Sequence, residues 1–134
     1  MKIPAFAAMV VIATVSWAGS VSSKPALRDV DHIREGLISV GIAYEISEVC
    51  PNLRARTLRG LAFLNSLRSH ARGLGYSNAE IETFVDDRAE QAALEATARE
   101  RLRAKGAIAG DPQSYCMVGR SEIGAKSDIG RLLR

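Results

Sequence analysis

Two histidines, two cysteines and one tryptophan are all that 134 residues contain of those types, and aromatic residues make up only 5%. That scarcity excludes much chemistry. A structural zinc site needs four ligands at characteristic spacing, and a nucleophilic triad needs a histidine beside a serine or cysteine and an orienting carboxylate. His32, His70, Cys50 and Cys116 show no such spacing. No Cys-x-x-Cys, Gly-x-Gly-x-x-Gly or lysine-bearing P-loop occurs, and Gly119 and Gly124 do not form a phosphate cradle. The residues therefore assign no catalytic group, no metal and no cofactor. Strand-like alternation, internal repeats and low-complexity segments are absent as well.

A strong excess of one charge is also missing. The chain carries 18 basic and 15 acidic residues, a net charge of +3. Lys2 is the only charged residue before Lys24, so the chain without residues 1–23 has 17 against 15, or +2. Such a balance points to no polyanionic partner, and nucleic acid is not expected.

What is present begins with Met1-Lys2 followed by the apolar run Ala5 to Val15 and the small-residue stretch Ser16-Trp17-Ala18. This is the pattern of a cleavable secretory signal peptide, residues 1–18, with cleavage possible as late as residue 23. Pro4, Ser16, Gly19 and Ser20 dilute the stretch below what a membrane span needs, and no later run is long enough. The expected order is then an extended leader, residues 19–29, and a single helical domain, residues 30–134, in the periplasm. In an oxidising compartment the simplest outcome for the two remaining cysteines is a Cys50–Cys116 disulfide. Two free thiols or a redox pair are the alternatives.

Apolar periodicity predicts an all-α fold: a small antiparallel bundle of three main helices plus a short C-terminal helix, stapled by one disulfide. In the first helix Val30, Ile33, Leu37, Val40 and Tyr44 form one row and Ile38, Ile42, Ile46 and Val49 a second. Asp29 or Asp31 is expected to cap it, Cys50-Pro51 to end it, and Gly36 and Gly41 to admit close neighbours. Both rows can be buried only if this helix sits between others. An unfilled row would be a partner-binding surface.

The second helix is expected from Asn52 to Gly73, with Leu58, Leu61, Leu64 and Leu67 on one side. Ser77 to Glu80 reads as a capping box with Tyr76 and Ile81 as its hydrophobic staple. From there a third helix is expected to reach Lys105, its alanine-rich second half projecting in part beyond the core. Asp111-Pro112 opens a fourth, short helix carrying Cys116. Gly119, Gly124 and Gly130 are expected to break up the tail, whose Ile129, Leu132 and Leu133 pack on the domain. Tyr44, Tyr76, Phe63, Phe84 and Tyr115 are the large apolar anchors, most of them expected in the core.

Charge is segregated. Residues 51–72 hold Arg54, Arg56, Arg59, Arg68 and Arg72 and no acid, whereas residues 73–100 hold seven acids against Arg88 and Arg99. A basic surface is one reading. The more economical one sets the two consecutive helices side by side with opposite charges facing. Asp86 with Asp87, or Glu80 with Asp87, could serve as a hydrolase pair, but an exposed helix face explains them more simply.

Gly41 to Ile46 leading to Cys50, Phe63 to Leu67, Leu74 to Ser77 with Glu80-Ile81, and the closing Cys116, Gly119, Glu122-Ile123 and Ile129 to Leu133 resemble a family of small exported bacterial proteins, domain of unknown function 5333. The resemblance implies a periplasmic helical domain with no assigned activity and transfers no catalytic residue. The functional expectation is a non-catalytic module that binds a protein or peptide partner. A periplasmic acid-stress or holdase-type chaperone is the second reading, by likeness of overall plan alone, and a small hydrolase the third. Mass spectrometry of exported protein is expected to find Gly19 at the N-terminus, or a start up to four residues later; a chain retaining Met1 would refute the cleavable signal.

Overall fold

The computed structural model describes residues 23–134, and the expected signal peptide, with residues 19–22 of the leader, lies outside the described residues. Among the described residues six α-helices follow one another: α1 Asp31–Val49, α2 Thr57–Gly73, α3 Asn78–Asp86, α4 Arg88–Ala104, α5 Pro112–Ala125 and α6 Asp128–Arg131. Among the described residues there is no strand, only the isolated bridges Ala55–Leu133 and Ile108–Asp111. No helix among them is long and apolar enough to cross a membrane.

α1 is the element on which the rest is laid, packing against α2, α4, α5 and α6. Val30 occupies its N-cap without a side-chain hydrogen bond, so neither Asp29 nor Asp31 caps it; Asp31 pairs with Arg34 instead, at 2.8 Å. The helix ends at Cys50, whose extended backbone suits the proline after it. Gly36 and Gly41 admit two different neighbours. A Cβ on Gly36 would come within 2.7 Å of Leu67 on α2, and one on Gly41 within 3.3 Å of Ala98 on α4.

Residues 50–56 do not extend α2, as the expected cap at Asn52 requires, because their backbone is bonded to the C-terminus. The Arg54 N–H donates to the Arg134 carbonyl at 2.8 Å, Arg134 returns the bond at 2.9 Å, and the Arg56 N–H donates to Leu132 at 2.8 Å. This path also buries Leu53. α2 ends in a Schellman turn at Gly75 rather than at Gly73: the Tyr76 N–H reaches the Ala71 carbonyl, the Gly75 N–H reaches Arg72, and Gly75 has φ +93°.

The capping box of Ser77 and Glu80 forms as expected, with Tyr76 and Ile81 both buried. The single third helix does not. Asp87 takes an extended conformation and its carboxylate accepts from the N–H groups of Ala89 and Glu90, at 2.8 and 3.1 Å, starting α4 afresh. An aspartate able to bond nearby N–H groups competes with helix continuation. The break lets the two halves serve different cores. Ile81 and Phe84 of α3 join Leu27, Ile33, Ala71 and Tyr76 in a small cluster, whereas Ala98 and Leu102 of α4 enter the main one. The second half therefore does not project: Leu102 is 1% exposed.

The leader is not simply extended either. Leu27–Asp29 form a 3-10 turn, Leu27 is buried, and Lys24 bonds the Gly75 carbonyl at 2.7 Å and pairs with Glu80. α5 opens on the Asp111 cap with Pro112 as expected. It runs on through Gly119 and Gly124, because Gly119 is buried where a Cβ would overlap Leu53 and come within 2.9 Å of Ile46. Gly130 likewise lies inside α6. Ile129, Leu132 and Leu133 are buried as expected.

Cys50 and Cys116 are disulfide-bonded, with Cα atoms 5.1 Å apart, and both lie in the main core beside Ile38, Ile42 and Ile46. The bridge joins the end of α1 to α5 across a sequence separation of 66. A loop of that length implies a stabilisation of about 4 kcal/mol in the chain-entropy account. Replacing both cysteines by alanine is expected to lower the unfolding free energy by roughly that amount in urea titrations; an unchanged midpoint would contradict the bridge.

Candidate functional site

The two apolar rows of α1 are filled unequally. Ile38, Ile42 and Ile46 are fully buried, whereas the other row is buried at Ile33, half-buried at Leu37 and Val40, and open at Tyr44, which is 59% exposed. Tyr44 is thus not a core anchor, although Tyr76 is buried and Phe63, Phe84 and Tyr115 are partly so. The expected row on α2 divides as well: Leu67 is buried, Leu64 is half-buried, and Leu58 and Leu61 are exposed.

The consequence is a ridge with a cleft on either side. Between α1 and α2 lies a cleft of about 500 Å³ whose apolar lining includes Val40, Ala43, Tyr44, Leu61, Leu64 and Leu132, together with Arg54, Arg56 and Glu48. Between α1 and α4 lies a second, of about 320 Å³, lined by Leu37, Val40, Tyr44, Leu94 and Ala98 with Glu45, Glu95 and Arg99. Val40 and Tyr44 belong to both. A larger hollow of about 610 Å³ runs under the leader between Ser23 and Arg28 and against α3, but ionic contacts already close that strap down.

The five arginines do not form one face. Arg56 and Arg59 line a shallow hollow with Arg134 at the start of α2, Arg54 precedes them, and Arg68 and Arg72 lie roughly two and a half and three and a half turns further along. Opposed charge on consecutive helices is realised only at Arg68, which pairs with Glu82 of α3. Three other acids of the segment pair elsewhere: Glu80 with Lys24, Glu90 with Arg28 at 2.6 Å, Glu95 with Arg99.

The carboxylates weighed for hydrolysis are engaged as caps or separated. Glu80 accepts from the Ser77 N–H at 2.6 Å, Asp87 caps α4, and Asp86 lines only a hollow shared with Arg88 and Glu95. Among the described residues no group of three or more His, Cys, Asp or Glu side chains is placed to hold a metal. The two histidines do meet. Their rings lie 4.5 Å apart, edge to face, where the start of α1 passes the end of α2.

Three carboxylates tie elements together, and each is held below the ordinary glutamate range. Arg101 of α4 hydrogen-bonds Glu35 of α1 and, with the charge of Arg101 and Arg34, outweighs partial desolvation. Ser77 and Lys24 do the same for Glu80, fastening the leader to α3. Burial pushes the Glu122 carboxyl up, but hydrogen bonds from Lys105 and Ser127 outweigh it and fasten α5 to the end of α4.

The helical plan around one core disulfide defines a small disulfide-linked helical protein. The chain belongs to a family of unknown function (DUF5333), whose model matches residues 25–134. Neither a curated protein nor a solved structure matches it.

The three linking carboxylates set the response to acid. A carboxyl whose folded pKa is depressed contributes stability above its unfolded value, near 4.3, and loses it as pH falls through the folded value. Glu35 and Glu80 are too exposed for a large effect, so the greater share falls to Glu122, whose side chain is 12% exposed. The thermal midpoint is expected to fall as pH drops below about 4.3, and Glu122→Gln to flatten that fall. A midpoint in calorimetry that holds constant to about pH 3 would refute it.

Proposed function

We propose that this is an exported, periplasmic, non-catalytic binding module in which α1, α2 and α4 act as the main bundle and the Tyr44 ridge receives an amphipathic helix of a partner protein. The observation that carries the reading is the unfilled row of α1: Leu37, Val40 and Tyr44, continued on either side by Leu61, Leu64 and Leu94. An apolar patch of this kind with charged residues around it is the usual mark of a protein contact. A helix seated there reads out as apolar anchors at intervals of three and four.

The charges give the partner a polarity. Arg54 and Arg56 against Glu48 leave the α1–α2 cleft net positive, and Glu45 and Glu95 against Arg99 leave the α1–α4 cleft net negative. The partner helix accordingly carries acid along one flank and base along the other. Export rests on the N-terminal signal pattern, and the Cys50–Cys116 bridge is of a kind that persists in oxidising compartments.

An acid-stress holdase is the second reading, favoured by the linking carboxylates Glu35, Glu80 and Glu122. Their protonation loosens the attachments of α4, the leader and α5 together and bares apolar surface.

A photo-crosslinking residue at position 44 is expected to give discrete adducts in the native periplasm, while one at position 126 does not. Leu61→Asp should abolish the adducts while leaving thermal stability within about 0.5 kcal/mol, since Leu61 is exposed. Identical adducts from both positions would overturn the proposal.

A further inference from the structure

His32 and His70 are the only histidines in the chain, and the fold brings them together from 38 positions apart. His32 lies in the first turn of α1 and His70 in the last turn of α2, both exposed, with ring centroids 4.5 Å apart and planes inclined at 62°. Neither imidazole hydrogen-bonds to a protein group among the described residues. One turn further along, Leu67 packs where Gly36 has no side chain, and Leu67 is buried. That contact fixes the separation of the two backbones beneath the imidazoles. The pair is therefore held in place by packing and left open to solvent.

We infer that His32 and His70 form a two-imidazole site for a first-row divalent cation, copper(II) ahead of zinc(II), clasping the start of α1 to the end of α2. Metal–imidazole bonds of about 2.0–2.1 Å allow one ion to span two ring nitrogens up to about 4 Å apart. Rings with centroids 4.5 Å apart come within that span by rotation about their outer torsions. Nitrogen ligands of this type suit copper and zinc rather than magnesium or calcium, and copper(II) binds tighter in the ordinary order of divalent affinities. Among the described residues no third His, Cys, Asp or Glu side chain completes the set. Water fills the remaining positions, and the ion exchanges rather than being locked in.

The test uses the exported chain with its disulfide intact, titrated with copper(II) sulfate and, separately, zinc sulfate in a non-coordinating buffer near neutral pH. One ion per chain is expected to raise the thermal midpoint, and the copper(II) resonance spectrum to show nitrogen coordination. His32→Ala and His70→Ala should each weaken binding at least tenfold; the exposed positions leave folding intact, which far-ultraviolet circular dichroism checks. Equal affinity in the parent chain and either variant, or no ion bound at neutral pH, would overturn the inference.

Discussion

The link from the end of α1 to α5 decides which side of α1 faces inward. With Cys50 and Cys116 both in the core, the Ile38–Ile42–Ile46 row is turned toward α5, α6, the C-terminal Leu133 and the Ala98–Leu102 side of α4. A helix cannot bury two broad apolar rows against the same neighbours. The row through Leu37, Val40 and Tyr44 is left to α2 and α4, which flank it without covering it. The exposed ridge is thus a consequence of where the bridge is anchored, and the two clefts are the spaces left by helices that meet α1 on its shoulders. Gly36 and Gly41 sharpen this arrangement, since each draws one flanking helix close at a single point.

Features governed by nearest neighbours were legible in the sequence. The Ser77–Glu80 capping box, the Tyr76–Ile81 staple, the Asp111-Pro112 start and the proline-limited end of α1 all depend on residues within one turn of each other. The division of the third helix was harder, because Asp87 lies in a run compatible with helix on both sides. Only the demand that Ile81 and Leu102 enter different cores makes the break favourable. The loop at residues 50–56 was illegible for a similar reason, as its partner is the backbone of residues 132–134.

The candidate surface was legible as a conditional statement. Two apolar rows on one helix imply either two sets of neighbours or an open surface, and composition cannot choose between them. Tyr44 was misplaced because a tyrosine at helical spacing has the same signature whether its ring is buried or crowns a ridge. The meeting of His32 with His70 depends on the antiparallel passage of α1 and α2, a relation between residues far apart in sequence. Spacing along the chain carries no trace of it.

α2 is the least deeply held of the longer helices, and its two ends are secured by different means. Its C-terminal half places Leu67 and Ala71 in the cores and brings His70 against His32. Its N-terminal half buries no side chain fully, with Leu58 and Leu61 exposed, and is held by the backbone bonds of Arg54 and Arg56 to the C-terminal residues. Segments with few buried apolar contacts open at lower free energy than the core around them. The wall of the α1–α2 cleft is therefore held by few buried apolar contacts at its N-terminal end, whereas Leu67 packs tightly on Gly36 toward the other. Under the proposed function, an apolar partner entering beside Tyr44 would supply the burial that Leu61 and Leu64 lack. The same contact would then order the helix that walls the cleft, at a distance from the disulfide-linked core on the other side of α1.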